Sequence, residues 1–143
     1  MNEELSRALF ERDLAGLSEK LLGLRDWEVI SSTYPVLDVA FSAPGRQPLR
    51  VRLTCTDWNE QPPSVDLMER QGSFVSRVSQ NSSGVFHQGP HPNTGRPFIC
   101  MAGSREYHTH PSHTSDHWDG YRAKDAYTLG GILTQIWRAW LKG

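Results

Sequence analysis

The sequence predicts an α+β fold in which an N-terminal helix precedes an antiparallel meander of about four strands and a C-terminal helix closes the chain. Three features predict it: an amphipathic stretch over residues 3–22, strand-like segments between residues 27 and 67, and a second amphipathic stretch over residues 128–141. Short turns join the strand-like segments, which favours antiparallel pairing of neighbours. A length of 143 residues fits one domain, residues 1–143.

The first helix is predicted over residues 3–22 because apolar residues recur there every three or four positions. The apolar stripe consists of Phe10, Leu14, Leu17, Leu21 and Leu24. Asn2 is a suitable amino-terminal cap, and Gly23 is a natural stop. We therefore expect one continuous helix that packs on the sheet.

Four strands are predicted from alternating apolar and polar residues. They are residues 27–32, 37–41, 49–55 and 65–67. The second strand should have a buried face and a wetter face, with Asp38 on the wetter one. The third strand alternates strictly and places Cys55 on its apolar side, which predicts an inert core thiol. Residues 79–84 are rich in Ser, Asn and Gly and predict a loop.

Composition excludes several classes of function. Fifteen basic residues against sixteen acidic ones give a net charge of −1, which removes the electrostatic argument for binding nucleic acid or an anionic membrane. No apolar run approaches the roughly 20 residues that span a bilayer. The acidic start is unlike a signal peptide, and two cysteines do not make a disulfide scaffold. We expect a soluble cytoplasmic protein.

The chemistry is concentrated in a loop-rich stretch that holds all six histidines, from His87 to His117. The same stretch contains Cys100, which follows Phe98-Ile99 outside the predicted strands. A thiolate there could act as a nucleophile, and Asn93, beside the rigid Pro92, could donate a hydrogen bond to an oxyanion. The stretch is therefore the predicted catalytic loop.

A metal site is a second interpretation of the same stretch. His108, His110 and His113 form a His-x-His-x-x-His pattern. Three imidazoles can hold zinc and leave an open position for water. A third interpretation is a solvated polar loop whose histidines bind nothing.

Three short motifs follow one another along the chain. They are Trp58-Asn59-Glu60-Gln61-Pro62-Pro63, His91-Pro92-Asn93 and Ile99-Cys100. In this order, after a helix and an antiparallel meander, they resemble the ubiquitin-conjugating enzyme family, and its compact bacterial relatives in particular. Relative to that family, residues 69–89 look like an insertion, and one helix over residues 128–141 stands in place of the last two.

The resemblance implies a transferase that carries a ubiquitin-like modifier as a thioester on Cys100 and passes it to an acceptor amine. It assigns Asn93 either to stabilising the oxyanion or to holding the loop in place, and it assigns His91 and Pro92 to the shape of the turn. The implied partners are a ubiquitin-like protein, an activating enzyme and a deubiquitinase-like peptidase of the same pathway, and no cofactor is required. Asp116, Asp119 or one of the four later histidines would position or deprotonate the amine, and the sequence does not select among them.

Two other functions remain open at this point. The first is a non-catalytic metal-binding or interaction domain that uses His108, His110 and His113, with zinc as the expected metal and Cys100 inert. The second is a hydrolytic metalloenzyme built on the same histidines.

Overall fold

A computed structural model describes residues 1–80 and 82–143 and has the predicted α+β class. The α-helices are α1 (Glu3–Leu14), α2 (Glu19–Arg25), α3 (Arg105–Thr109) and α4 (Leu129–Lys142). The strands are β1 (Trp27–Ser31), β2 (Val36–Phe41), β3 (Leu49–Thr54), β4 (Ser64–Met68), β5 (Phe86–His87) and β6 (Phe98–Ile99). Short 3-10 helices span Trp118–Gly120 and Asp125–Tyr127. Residue 81, within the loop predicted over residues 79–84, lies outside the described residues.

The main sheet is an antiparallel meander with the strand order β1-β2-β3-β4, as predicted. Val39 pairs with Val51, and Val51 pairs with Leu67, so apolar residues of neighbouring strands lie side by side. The sequence did not predict β5 and β6, which pair separately and place Phe86 opposite Ile99. This second, two-stranded sheet leads directly into Cys100.

The prediction of one helix over residues 3–22 is wrong, because the chain breaks after Leu14 and starts a second helix at Glu19. Ser18 caps the new helix, and its hydroxyl accepts the Leu21 N–H at 3.2 Å. Gly16 lies in the break, where a residue of low helix propensity weakens the continuous helix. Gly23 lies inside α2, and the left-handed Asp26 (φ 52°) ends it instead.

Asp38 is buried, although the alternation of β2 placed it on a wetter face. Its side chain accepts hydrogen bonds from the guanidinium groups of Arg50, at 2.9 and 2.8 Å, and Arg52, at 3.1 Å. Both arginines belong to β3 and project on the same side as Asp38. A buried carboxylate is stable when cations and hydrogen bonds compensate its lost hydration. The two arginines provide that compensation.

The helix α4 contributes one apolar face to the core, and it begins directly after the predicted start. The Thr128 hydroxyl caps it by accepting the Gly131 N–H at 3.0 Å. The ring of Trp140 lies 5.8 Å from that of Phe41 in β2. The buried residues of α4 are Leu129, Ile132, Leu133, Ile136, Ala139 and Trp140. Among the described residues, no helix has the length and apolar character that crossing a membrane requires.

Glu106 joins α3 to the main sheet and is 5% exposed. Its carboxylate accepts the Val65 N–H at 2.7 Å and the Ser64 hydroxyl at 2.8 Å. Burial raises the pKa of this carboxyl group, and the two hydrogen bonds partly oppose that shift. The contact fixes the position of α3, and with it the segment that follows Cys100.

Removing the Glu106 carboxylate should therefore destabilise the protein. We expect Glu106→Ala to lower the free energy of unfolding by about 2 kcal/mol, because a buried backbone N–H loses its acceptor. Glu106→Gln should cost less, since its amide oxygen still accepts that N–H and no buried charge remains. Urea denaturation measures both. An alanine variant as stable as the wild type would contradict the assigned role.

Candidate active site

Cys100 lies between the end of β6 and the start of α3. Its backbone N–H donates to the Val85 carbonyl at 2.7 Å, which extends the pairing of β5 and β6 by one residue. Ser104 caps α3 by accepting the Tyr107 N–H at 3.2 Å, and its hydroxyl donates to the Ile99 carbonyl at 2.8 Å. Secondary structure on both sides thus fixes the backbone at Cys100, while the thiol is only half-buried.

His113 is the side chain that the structure places against the thiol. The distance from Cys100 Sγ to His113 Nε2 is 3.7 Å, within the range of a hydrogen bond to sulfur. The imidazole stacks on the ring of Tyr107, with centroids 4.2 Å apart and planes 14° from parallel. The sequence suggested His113 as a zinc ligand, and also as one of four histidines that could position or deprotonate the incoming amine. It did not identify His113 as the partner of Cys100.

Asp116 anchors the loop that carries His113. Its carboxylate accepts the hydroxyl groups of Tyr107 at 2.6 Å and Tyr121 at 2.8 Å. These two hydrogen bonds hold the pKa of Asp116 below its usual value, and the first of them raises the pKa of Tyr107 to about 12. The ionised Asp116 therefore fixes the same tyrosine on which His113 stacks.

His108 connects this loop to the segment after the cysteine. Its Nε2 accepts the Gly103 N–H at 3.0 Å, and its Nδ1 lies 2.8 Å from the Asp116 carbonyl and donates to it. Burial lowers the pKa of this imidazole, which favours the neutral form that these two bonds require. Both ring nitrogens are thus occupied within the protein.

His91 and Asn93 occupy the turn before β6. His91 is 1% exposed, its Nε2 lies 2.7 Å from the Glu106 carbonyl, and its Nδ1 accepts the Asn93 N–H at 3.0 Å. These bonds hold the shape of the turn and leave no ring nitrogen for substrate. The Asn93 side chain is exposed and makes no hydrogen bond within residues 1–80 and 82–143. Its amide is therefore free to donate to a bound substrate.

The zinc site expected at His108, His110 and His113 is not assembled. Within the described residues, no group of three or more His, Cys, Asp or Glu side chains could hold a metal ion. The nitrogens of His108 are both engaged, and His113 faces Cys100. His110 stacks on Phe98, with ring planes 18° from parallel, and its Nδ1 accepts the Ser112 N–H. Zinc binding stays a prediction without structural support.

Cys55 occupies the opposite environment from Cys100. It is 1% exposed, in the core as strand alternation predicted. Burial raises the pKa of the Cys55 thiol far above its usual range. Burial also raises the pKa of the Cys100 thiol, which is less buried than the Cys55 thiol. Burial thus disfavours the thiolate at both cysteines, and Cys100 has a neighbouring base that can take its proton.

Alkylation should distinguish the two thiols. We expect iodoacetamide to modify Cys100 in the folded protein many times faster than Cys55, because the reagent reaches a half-buried thiol beside a base and does not reach the core. Peptide mass spectrometry at short reaction times measures both rates. In denaturant the two rates should become similar. Faster modification of Cys55 in the folded protein would contradict the assignment of Cys100 as the reactive thiol.

The part of the chain that carries this site is similar to proteins of known sequence. Residues 74–143 match the model of the Y4jH-like family, described as the Y4jH family. A 41-residue segment is 46% identical to the uncharacterized protein y4jH of Sinorhizobium fredii. That segment covers 29% of this chain and 20% of the y4jH protein. The similarity is therefore regional.

The resemblance to the ubiquitin-conjugating family is wrong. The segment from residue 74 onward contains both motifs on which that resemblance mainly rested, His91-Pro92-Asn93 and Ile99-Cys100, and it matches the Y4jH-like model instead. Motifs of two or three residues are short enough to recur in unrelated families. A helix followed by an antiparallel meander is likewise a common arrangement, and fold alone does not identify function.

Proposed function

We propose that the protein is a cysteine-dependent acyltransferase that carries an acyl group as a thioester on Cys100 and passes it to an amine. One observation carries the proposal: a half-buried thiol lies 3.7 Å from the Nε2 of His113, whose ring is held by stacking on Tyr107. A nucleophile paired with a base that a third group orients is the usual arrangement for covalent catalysis. In this site, Tyr107 and Asp116 are the orienting groups.

The first step is the charging of Cys100. Neutral His113 accepts the thiol proton at Nε2, and Sγ attacks the carbonyl carbon of an activated acyl donor. A tetrahedral oxyanion forms, and the free amide of Asn93 is the candidate donor that would stabilise it. The bond to the leaving group then breaks, and the leaving group takes the proton from the His113 imidazolium. The product is an acyl thioester on Cys100 and a neutral imidazole.

The second step transfers the acyl group. An amine attacks the thioester carbonyl and loses a proton to His113 Nε2. When the tetrahedral intermediate collapses, the carbon–sulfur bond breaks and Sγ leaves as a thiolate, which regains the proton from the imidazolium. The products are an amide and the original Cys100–His113 pair. The same imidazole thus serves as base and acid in both steps.

The position of the thiol favours a donor that arrives on a flexible tail. Cys100 does not line any of four well-formed cavities on the described part of the protein, whose volumes are about 600, 330, 220 and 310 Å³. A small-molecule donor would be expected to bind in such a cavity. The C-terminal glycine of a small protein modifier, charged by an activating enzyme, can reach an open site. This type of donor is part of the proposal.

A chemically activated peptide tests the charging step without a partner enzyme. The protein is incubated with a short peptide thioester that ends in glycine, and intact mass spectrometry follows the addition of the peptide. We expect one adduct, located at Cys100 by tandem mass spectrometry and removed by dithiothreitol. Addition of the peptide only at lysine residues would contradict the proposal, and so would a rate of addition no higher than that of free cysteine.

A further inference from the structure

A second feature of the surface lies away from the Cys100–His113 pair. A cavity of about 600 Å³ is bounded by α1, α2 and the amino-terminal end of α4, and neither Cys100 nor His113 lines it. Its cationic side chains are Arg12, Arg25, Arg122 and Lys124, and its carboxylates are Asp13 and Asp125. Four positive groups against two negative ones concentrate cations in one place, although the whole chain has a net charge of −1.

Two of these cations have no carboxylate partner among the described residues. The Arg25 guanidinium donates to the Thr134 hydroxyl at 2.8 Å. Its Cζ atom lies 5.0 Å from the centroid of the Trp27 ring and 4.9 Å from that of the Trp137 ring. The Lys124 ammonium group lies 5.5 Å from the centroid of the Tyr121 ring and has no other side-chain interaction within residues 1–80 and 82–143. Burial and the nearby Arg138 lower the pKa of Arg25, as expected for a charge without compensation. An anion in the cavity would supply that compensation.

The carboxylate of Asp13 is already committed within the protein. One oxygen accepts the Leu129 N–H at 3.0 Å, at the start of α4, and the other accepts from Arg12. Asp13 therefore neutralises the helix end and one arginine, and it does not reach the other cations. Arg122 pairs with Asp119 at 3.6 Å. Among the described residues, Arg25 and Lys124 are therefore the lining cations without an ion-pair partner, and together they exceed the one remaining lining carboxylate, Asp125.

We infer that this cavity binds a small phosphate-bearing anion. A phosphate group carries several negative charges and accepts hydrogen bonds from a guanidinium fork and an ammonium group together. The rings of Trp27 and Trp137 restrain Arg25, so little conformational freedom is lost when it binds a ligand. The cavity is large enough for a pyrophosphate group or a nucleotide.

Titration calorimetry tests this inference with sodium pyrophosphate and, separately, ATP without added metal. The Cys100→Ala protein is used, so that no covalent reaction contributes and failure of the proposed acyl transfer leaves the result unaffected. We expect saturable binding with one site at ionic strength matched by sodium chloride. Equal affinity for the two probes would assign recognition to the phosphates alone, and tighter binding of ATP would add a contact to the nucleoside.

Charge-removing variants locate the site. Arg25→Gln and Lys124→Gln should each weaken binding about tenfold or more, because each removes a charged donor. Arg70→Gln is the matched control, since it removes an exposed arginine outside the cavity, and it should bind as the parent protein does. If Arg25→Gln fails to fold, the exposed Lys124 variant carries the test. No saturable binding of either probe, or equal binding by Lys124→Gln and the control, would overturn the inference.

Discussion

Cys100→Ala should form no thiol-reversible adduct with the glycine-terminated peptide thioester, whereas the wild-type protein should accumulate one. The variant lacks the only thiol that lies beside a base in the described structure. Cys100→Ser should form, at most, a slowly produced ester that dithiothreitol does not remove, because an oxyester exchanges poorly with thiols. Intact mass spectrometry before and after dithiothreitol treatment measures all three proteins.

The second cysteine provides the control for that experiment. Cys55→Ala removes the other thiol but leaves Cys100 and His113 in place, so the variant should charge as the wild type does. Circular dichroism checks that each variant is folded. If Cys100→Ala still forms an adduct that dithiothreitol removes and Cys55→Ala does not, the nucleophile has been assigned to the wrong cysteine.

His113→Ala should slow the charging of Cys100 by about 100- to 10,000-fold at neutral pH, the range expected when a general base is removed. The reason is the raised pKa of the Cys100 thiol, which leaves it protonated unless a base takes the proton. The rate of adduct formation under single-turnover conditions measures the effect. His117→Ala is the matched control, because His117 is an exposed histidine of the same loop. This variant should be charged at the wild-type rate.

The pH dependence separates a base from a merely structural histidine. In His113→Ala, charging should accelerate as pH rises, since hydroxide then ionises the thiol, and the gap between variant and wild type should narrow. A histidine that only supports the loop would lower the rate by the same factor at every pH. A constant ratio across the pH range would therefore contradict the assignment of His113 as the base.

The sequence predicted the sheet well because its strands carry a strong periodic signal. The strict alternation over residues 49–55 correctly placed the third strand and buried Cys55. The same reasoning failed at Asp38, because alternation cannot show that arginines of a neighbouring strand will compensate a buried carboxylate. It also failed at Ser18, because the apolar stripe continued through a break that Gly16 and a new helix cap produce.

The sequence singled out candidate site residues, whose roles stay predictions, but it did not show how they are arranged. Sequence order drew attention to Cys100, Asn93 and His91, and the structure places all three in or beside the turn and strand that precede α3. The pairing of Cys100 with His113 was not predictable, because it depends on how an irregular loop folds back. The conformation of that loop depends on Asp116, which accepts hydrogen bonds from two tyrosines. Histidine spacing suggested a metal instead, although hydrogen bonds engage His108 within the protein.

A single-turnover discharge experiment tests whether Cys100 passes its acyl group to an amine. Wild-type protein is charged with the peptide, freed of excess donor and mixed with increasing concentrations of free lysine. Mass spectrometry follows the loss of the thioester and the appearance of peptidyl-lysine. We expect a discharge rate that rises with lysine concentration and falls sharply in pre-charged His113→Ala. A thioester lost only by hydrolysis, at a rate independent of lysine, would contradict it.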